Sequence, residues 1–271
     1  MNAVTWLFVP GDRPDRFAKA QDSGADAVVC DLEDGVAPAA KVQARAEVRG
    51  WLAAGGSAWV RVNAPGTDDG LGDVEAMRGL PGLQGLMVPK SESAGQLENL
   101  AGRAGGCRVV ALVETAAGVL EAANIARSPA VDRLAFGSID YAGDIDAIES
   151  DDSLLLARSL LVLASRAAGK AGPLDGVTTD LLTMEPVQAA AAYARSLGFV
   201  GKLCIHPRQV AAVAAGFAPQ EREVRWAREV VEAEASAGAV AVAGHMVDRP
   251  VLERARRILA KLEPTEPRGR P

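Results

Sequence analysis

Between Thr5 and Pro207 the chain repeats one unit eight times: a short apolar, partly β-branched run ending in polar residues, then a stretch with helical spacing. A strand that is apolar along its whole length must be covered on both faces, and a parallel sheet with helices packed on it meets that condition. The strongest run is Arg108-Val109-Val110-Ala111-Leu112-Val113, which delivers Glu114 at its end and is followed by Thr115-Ala116-Ala117-Gly118. Those small residues leave room beside the carboxylate for a ligand. The other expected strands cover residues 5–9, 26–35, 58–63, 85–90, 134–140, 173–177 and 200–207. Helices are expected over 39–53, 93–100, 119–127, 154–168 and 186–196. Eight strands alternating with helices of this length form the (β/α)8 pattern, so the expected fold class is α/β, a TIM barrel with a C-terminal helical extension. A doubly wound open sheet alternates in the same way, but no glycine-rich dinucleotide fingerprint follows the first strand.

Polar residues gather after the strands, where a barrel of this kind carries its active site. Asp12 with Arg13, Asp31 with Glu33 and Asp34, Arg61 with Asn63, Lys90, Glu114, Asp140, Asp175 and His206 each follow an apolar run. Two buried strands ending in Glu114 and Asp140 point to a metal or acid–base site at the carboxyl edge. The alternative is that each acid caps the next helix or meets a basic side chain. Asp31, Glu33 and Asp34 form a rival cluster, and strand alternation puts residues 31 and 33 on one face with Leu32 on the other.

Composition narrows the function classes. The 271 residues are 49% hydrophobic and 24% charged, with 29 Lys+Arg against 35 Asp+Glu and a net charge of −6. Such a chain can build one large barrel or two smaller domains. No basic stretch alternates with aromatics, which argues against nucleic acid as a partner. No apolar run approaches the roughly 20 residues of a membrane span, and the amino terminus has no basic region or long apolar segment. Cys30, Cys107 and Cys204 lie within apolar runs at unrelated spacings, as buried thiols of a cytoplasmic protein would. The barrel carrying the site would occupy residues 1–217. Residues 218–262 then form a helical or lid extension, with helices expected over 220–234 and 250–262, and the Pro- and Arg-rich residues 263–271 are expected to be disordered.

Several motifs follow one another in a recognisable order. They are Leu7-Phe8-Val9-Pro10-Gly11-Asp12-Arg13-Pro14, Asp31-Leu32-Glu33-Asp34-Gly35, Arg61-Val62-Asn63 and Met87-Val88-Pro89-Lys90. Leu112-Val113-Glu114-Thr115, Phe136-Gly137-Ser138-Ile139-Asp140, Cys204-Ile205-His206-Pro207 and Gly244-His245-Met246-Val247-Asp248 complete the series. With these motifs the chain resembles the citrate lyase beta-subunit-like family, carbon–carbon lyases of the malyl-CoA, citramalyl-CoA and hydroxymethylglutaryl type within the HpcH/HpaI aldolase-type superfamily.

The resemblance implies Mg²⁺ held by Glu114 and Asp140 and chelating the 2-oxo acid part of the substrate. It also implies that Asp31, Glu33, Asp34 and Asn63 support the metal and Arg61. Arg61 is expected to stabilise an enolate on the thioester carbon or to clamp a carboxylate bidentately. Arg13, Arg61, Lys90 and Glu114 are the candidate substrate contacts; for Arg13 and Lys90 the contact would be phosphate or thioester, with a solvated charge as the alternative. The enolate needs a proton donor. Asp248, on a glycine-preceded loop before Pro250, has the anatomy of a lid acid, the alternative being a cap on the following helix. In the resembling family this aspartate comes from a neighbouring subunit, which implies a homotrimer or a dimer of trimers. The implied reaction is reversible cleavage of a 3-hydroxyacyl-CoA (a malyl-, citramalyl- or citryl-thioester) to acetyl-CoA and a 2-oxo acid. Three alternatives stay open: a citryl-thioester lyase subunit of a citrate lyase complex working on an acyl carrier, a malyl-CoA thioesterase, and a non-enzymatic barrel that binds acyl-CoA and regulates a partner.

Overall fold

In the computed structural model, which describes residues 3–237, 241–242, 245–246, 248–260 and 262, the apolar runs become eight short parallel strands. These are β1 (Thr5–Pro10), β2 (Ala27–Asp31), β3 (Ala58–Arg61), β4 (Leu83–Val88), β5 (Val109–Val113), β6 (Val131–Phe136), β7 (Leu174–Asp175) and β8 (Gly201–Cys204). They pair in sequence order and β8 returns to β1, with Trp6 opposite both Ala27 and Leu203, so the barrel is closed and has no free edge. The helices between them are α1 (Phe17–Gln21), α2 (Lys41–Ala53), α3 (Asp68–Met77), α4 (Ala94–Arg103), α5 (Ala116–Arg127), α6 (Ser138–Asp144), α7 (Asp151–Ala167), α8 (Glu185–Leu197) and α9 (Gln209–Phe217).

Alternation along each strand sorts its side chains into two apolar layers. Trp6, Val29, Trp59, Met87, Val110, Leu112, Ala135, Leu174 and Leu203 fill the barrel interior. Their neighbours, among them Leu7, Cys30, Val60, Ala111, Phe136 and Cys204, face outward onto apolar helix residues such as Val48, Leu97, Ile125, Leu161 and Val213. The three thiols are free, and burial pushes those of Cys30 and Cys204 upward, so they stay protonated and act as small apolar groups. Near the amino ends of the strands, Trp6 and Trp59 pack with ring centroids 5.2 Å apart, and the guanidinium groups of Arg133 and Arg108 lie over them.

Serine and threonine end the loops and start several helices. Thr67, Ser93, Thr115 and Ser150 each accept a hydrogen bond from the backbone of the first turn of α3, α4, α5 and α7, a contribution of about 1 kcal/mol apiece. Helix α3 is absent from the sequence expectations because Gly70 and Gly72 lower its local propensity. Strand six is shorter than expected. It ends at Phe136, and the Gly137 carbonyl already accepts from Tyr141, so Ser138-Ile139-Asp140 is the first turn of α6. The expected placement of Asp140 at a strand end is therefore corrected: the acid stands on a helix. Strand two ends at Asp31, whose carboxylate turns the chain by accepting from the N–H groups of Glu33 and Gly35, both at 2.9 Å.

The chain divides into two compact units, Met1–Phe217 and Ala218–Pro271. In the second, α10 (Glu221–Ala237) and α11 (Arg249–Ala260) bury Ala227, Val230, Leu252, Ala255 and Ile258 together. A short antiparallel pair, Ala241–Val242 with His245–Met246, joins them. Residues 263–271, expected to be disordered, lie outside the described residues. Among the described residues no helix is long and apolar enough to cross a membrane.

Candidate active site

The residue after β5 is Glu114, only 3% exposed. Its Oε1 accepts from the backbone N–H of Lys90 at 2.9 Å, and Lys90 presents that N–H from a left-handed backbone at φ 47°. Few non-glycine residues adopt this conformation, so the turn after β4 spends about 1 kcal/mol on aiming one donor at one carboxylate. Gly137 makes the other side of the cradle. A Cβ at position 137 would overlap Glu114 Oε2 and stand 2.6 Å from Glu114 Cβ, so only glycine lets β6 pass this close.

Arg61 at the end of β3 is held in a fork. Its Nε and one terminal nitrogen donate to the two oxygens of Asp31 at 2.7 Å each, and the other terminal nitrogen lies 3.0 Å from Glu33 Oε2. The guanidinium also covers the Phe8 ring, 4.7 Å from its centroid. Asp31 and Glu33 thus both meet Arg61, but β2 ends at Asp31, so the turn after the strand and not strand alternation brings Glu33 there. Asp34 is exposed. Asn63 is buried and belongs to a support beneath them: its Nδ2 donates to the Leu32 carbonyl (2.8 Å) and to Asp73 (2.7 Å), and its Oδ1 accepts from Lys41 Nζ. Lys41 also ties down the carbonyls of Leu32 and Glu33 at 3.0 Å, and Arg45 meets Asp73 at 2.6 Å. Sequence reasoning passed over Lys41, Arg45 and Asp73, because a cation or acid on a helix face gives no local sign of the loop it will hold.

Electrostatically the site is starved of positive charge. Burial pushes Glu114 up to about 8, helped by the charges of Glu33 and Asp140 and opposed by the Lys90 N–H. Glu33 is pushed up to about 7 by burial, against the pull of Arg61 and with Asp34 and Asp31 adding to the rise. Arg61, despite its burial, is held more firmly protonated by Asp31. A hard divalent cation beside Glu114 and Asp140 would hold both as anions, and such an ion prefers one or two carboxylates with its remaining positions left for water and substrate oxygens. The donor set fits in its chemistry, two carboxylates lining one pocket, while among the described residues no group of three or more His, Cys, Asp or Glu stands together to hold a metal ion.

That pocket, about 60 Å³, has Arg61, Glu114, Ser138 and Asp140 on its polar side and Phe8, Leu112, Phe136, Ile139, Val177 and Leu203 as its apolar wall. The structure brings Glu114, Asp140 and Arg61 together there. Arg13 instead forms a two-pronged pair with Asp15 on the surface, and Lys90 is exposed; neither side chain lines the pocket. His206 accepts at Nδ1 from the Arg208 N–H, closing the turn after β8. Asp175 is the last residue of β7 and points outward between barrel and helices, paired with Lys202 and Arg158. Asp248 is exposed and its Oδ1 accepts from the Val251 N–H at 3.1 Å, the geometry of a cap on α11. Gly244 and Val247, parts of the expected lid loop, lie outside the described residues.

A sequence profile described as HpcH/HpaI aldolase/citrate lyase matches residues 5–207, nearly the whole barrel unit. The chain belongs to this family. Within the HpcH/HpaI aldolase/citrate lyase family, the citrate lyase subunit beta-like protein of Mycobacterium tuberculosis is 40% identical over 264 residues, covering 94% of each chain. The (3S)-malyl-CoA thioesterase of Cereibacter sphaeroides is 34% identical over 268 residues, covering 95% of this chain and 93% of that protein. A crystal structure of the Mycobacterium tuberculosis protein CitE in complex with magnesium, acetoacetate and coenzyme A is similar with a TM-score of 0.86 at 38% identity, covering 96% of this chain and 99% of that one. The family is one of lyase-type enzymes.

Proposed function

We propose that this protein is a Mg²⁺-dependent carbon–carbon lyase that cleaves a 3-hydroxyacyl-CoA, of the malyl-, citramalyl- or citryl-thioester kind, to acetyl-CoA and a 2-oxo acid. The observation that carries the reading is the meeting of Glu114, Asp140 and the forked Arg61 on one side of a small pocket at the carboxyl ends of the strands. The relative that holds magnesium, acetoacetate and coenzyme A supports it.

Glu114 and Asp140 would hold the ion, which when bound supplies Lewis-acid charge at the oxygens of the oxo-acid end. Arg61 sits where the thioester enolate would gain charge, and Asp31 and Glu33 keep its planar face in place before substrate arrives. The apolar wall excludes water, so the enolate is protonated by a placed acid and not at random. We assign that acid to Asp248, delivered by a neighbouring copy in a homotrimer or a dimer of trimers. Arg13 and Lys90 are proposed to meet the phosphate or thioester of coenzyme A from the rim, and the protein to work in the cytoplasm.

A second reading is favoured by the thioesterase relative, since a cation placed to stabilise negative charge on the thioester oxygen would serve equally the oxyanion formed when water adds to that carbonyl and CoA leaves as the thiol. Mass-spectrometric product analysis with malyl-, citramalyl- and citryl-thioesters, as CoA and as carrier-bound forms, separates the readings. The lyase yields acetyl-thioester plus oxo acid and stops when EDTA removes Mg²⁺; free CoA and the intact hydroxy acid mean a thioesterase. Turnover of the carrier-bound form alone means a citrate lyase subunit, and no turnover of any thioester sinks the enzymatic reading.

A further inference from the structure

Helix α7 is apolar on two sides. Leu154, Ala157, Leu161 and Ala164 are buried in the barrel's outer core, as one face of a surface helix must be. The opposite face, which solvent should make polar, carries Leu155 (40% exposed), Leu156 (68%) and Leu163 (64%). Helix α5 packs against α7 and adds Leu120, 80% exposed. The first half of the barrel has nothing of the kind: among the described residues before Ala116, the exposed large apolar side chains are Val42 and Leu71, far apart in the chain. An apolar patch gathered on one side of a molecule marks a surface that a partner covers.

The order of residues along this face points to the partner. At 3.6 residues per turn Asp152, Leu156, Ser159, Leu163 and Arg166 fall on one stripe, roughly 80° wide. Ser159 stands at its centre, with Asp152 seven residues before it and Arg166 seven after. Both charges are exposed, and neither has an ion-pair partner among the described residues; Asp151, next to Asp152, is the acid that meets Arg158. A second α7 laid antiparallel across Ser159 brings Asp152 level with the partner's Arg166 at both ends, about 10 Å from the centre. It also sets Leu156 beside the partner's Leu163, and the small Ser159 lets the two axes approach. Each residue then meets the residue that meets it in return, which is the condition for a two-fold contact. We propose that the outer face of α7 is a two-fold interface with a second copy of this chain, pinned by Asp152–Arg166 pairs at its two ends. This contact rests neither on the lyase reading nor on the assignment of Asp248. Alone it makes a dimer; joined to a three-fold assembly it makes a dimer of trimers.

The test reads the number of copies. Native mass spectrometry of the full chain should show an even-numbered assembly, and a single copy or a trimer as the largest species overturns the proposal. Leu156→Glu combined with Leu163→Glu changes only exposed side chains, so far-UV circular dichroism should be unaltered while the number of copies halves. A folded double variant with its assembly unchanged means that the copies meet elsewhere, and also overturns the proposal. Charge reversal tests the antiparallel register. Asp152→Arg sets like charges together at both ends and should raise the dissociation constant on the order of tenfold. Adding Arg166→Asp restores opposite charges at both ends and should bring the constant back. If Asp152→Arg changes nothing, or the second reversal gives no recovery, the two-fold pairing of α7 is wrong.

Discussion

At the scale of single residues, Arg61 and Glu114 show how burial is turned into function. Arg61 makes three charge-assisted contacts in a plane, and a lysine can make one of them well. Arg61→Lys keeps the charge but leaves Asp31 or Glu33 under-paired in a buried place. It should cost about 1–3 kcal/mol in urea denaturation and lower turnover on the order of 100-fold; full activity in the variant would make Arg61 a structural residue only. Glu114 and Glu33 carry a pH signature. Their folded values, about 8 and about 7, lie above the roughly 4.3 of an unfolded glutamate. The native state therefore binds more protons than the unfolded one between these limits, and stability present at acid pH is lost as pH rises through 7 and 8. With EDTA the thermal midpoint should fall between pH 5.5 and 8.5, and saturating Mg²⁺ should flatten the fall. Identical pH profiles with and without Mg²⁺ would contradict cation binding at Glu114.

At the scale of elements, the weakest strand is secured by charge. β7 has two residues, too few for its ladder to hold it, and Asp175 is fully buried. Lys202 of β8 donates to Asp175 Oδ2 at 2.8 Å and to the Gly176 carbonyl at 2.6 Å, while Arg158 of α7 donates to Asp175 Oδ1 at 3.0 Å. One lysine thus closes the barrel between its last two strands and sets the backbone just before Val177, which lines the pocket. Lys202→Met removes one partner of a buried pair and should destabilise the protein by about 3–5 kcal/mol. Adding Asp175→Leu removes the carboxylate that is then left with Arg158 alone, Arg158 keeping Asp151 as a partner, and equilibrium unfolding should show the double change costing less than the sum of the two single ones. If the double variant is as unstable as the sum of the two single changes, the pair is not coupled.

At the scale of the whole molecule, a barrel complete at Phe217 carries a second compact unit whose own core is one face of two helices. If Asp248 serves the site of a neighbouring copy, two crippled chains should repair each other. Asp248→Asn and Glu114→Gln proteins, each inactive, are mixed and allowed to exchange subunits, with exchange followed by native mass spectrometry. Mixed oligomers should regain part of the activity, because one chain supplies an intact metal pair and the other an intact acid. Confirmed exchange with no return of activity would end the shared-site proposal.

The fold was legible because its determinants are local. Eight apolar runs with helical spacing between them specify buried parallel strands, and Glu114 could be placed at a strand's carboxyl end from Val109-Val110-Ala111-Leu112-Val113 alone. The role of Gly137 was not legible, because the Glu114 side chain that fills its Cβ position comes from the end of another strand. Partnership was not legible, because it depends on contacts between residues far apart in the chain. Nothing local says that Arg61 will close on Asp31, that Asp73 of α3 will reach Asn63, or that Lys41 will hold the loop carrying Glu33. Asp175 and Glu114 look alike in sequence, each an acid ending an apolar run. Only the closed barrel decides that Asp175 turns outward to Lys202 while Glu114 faces the pocket, since a one-residue difference in where the strand stops moves a side chain to the opposite face.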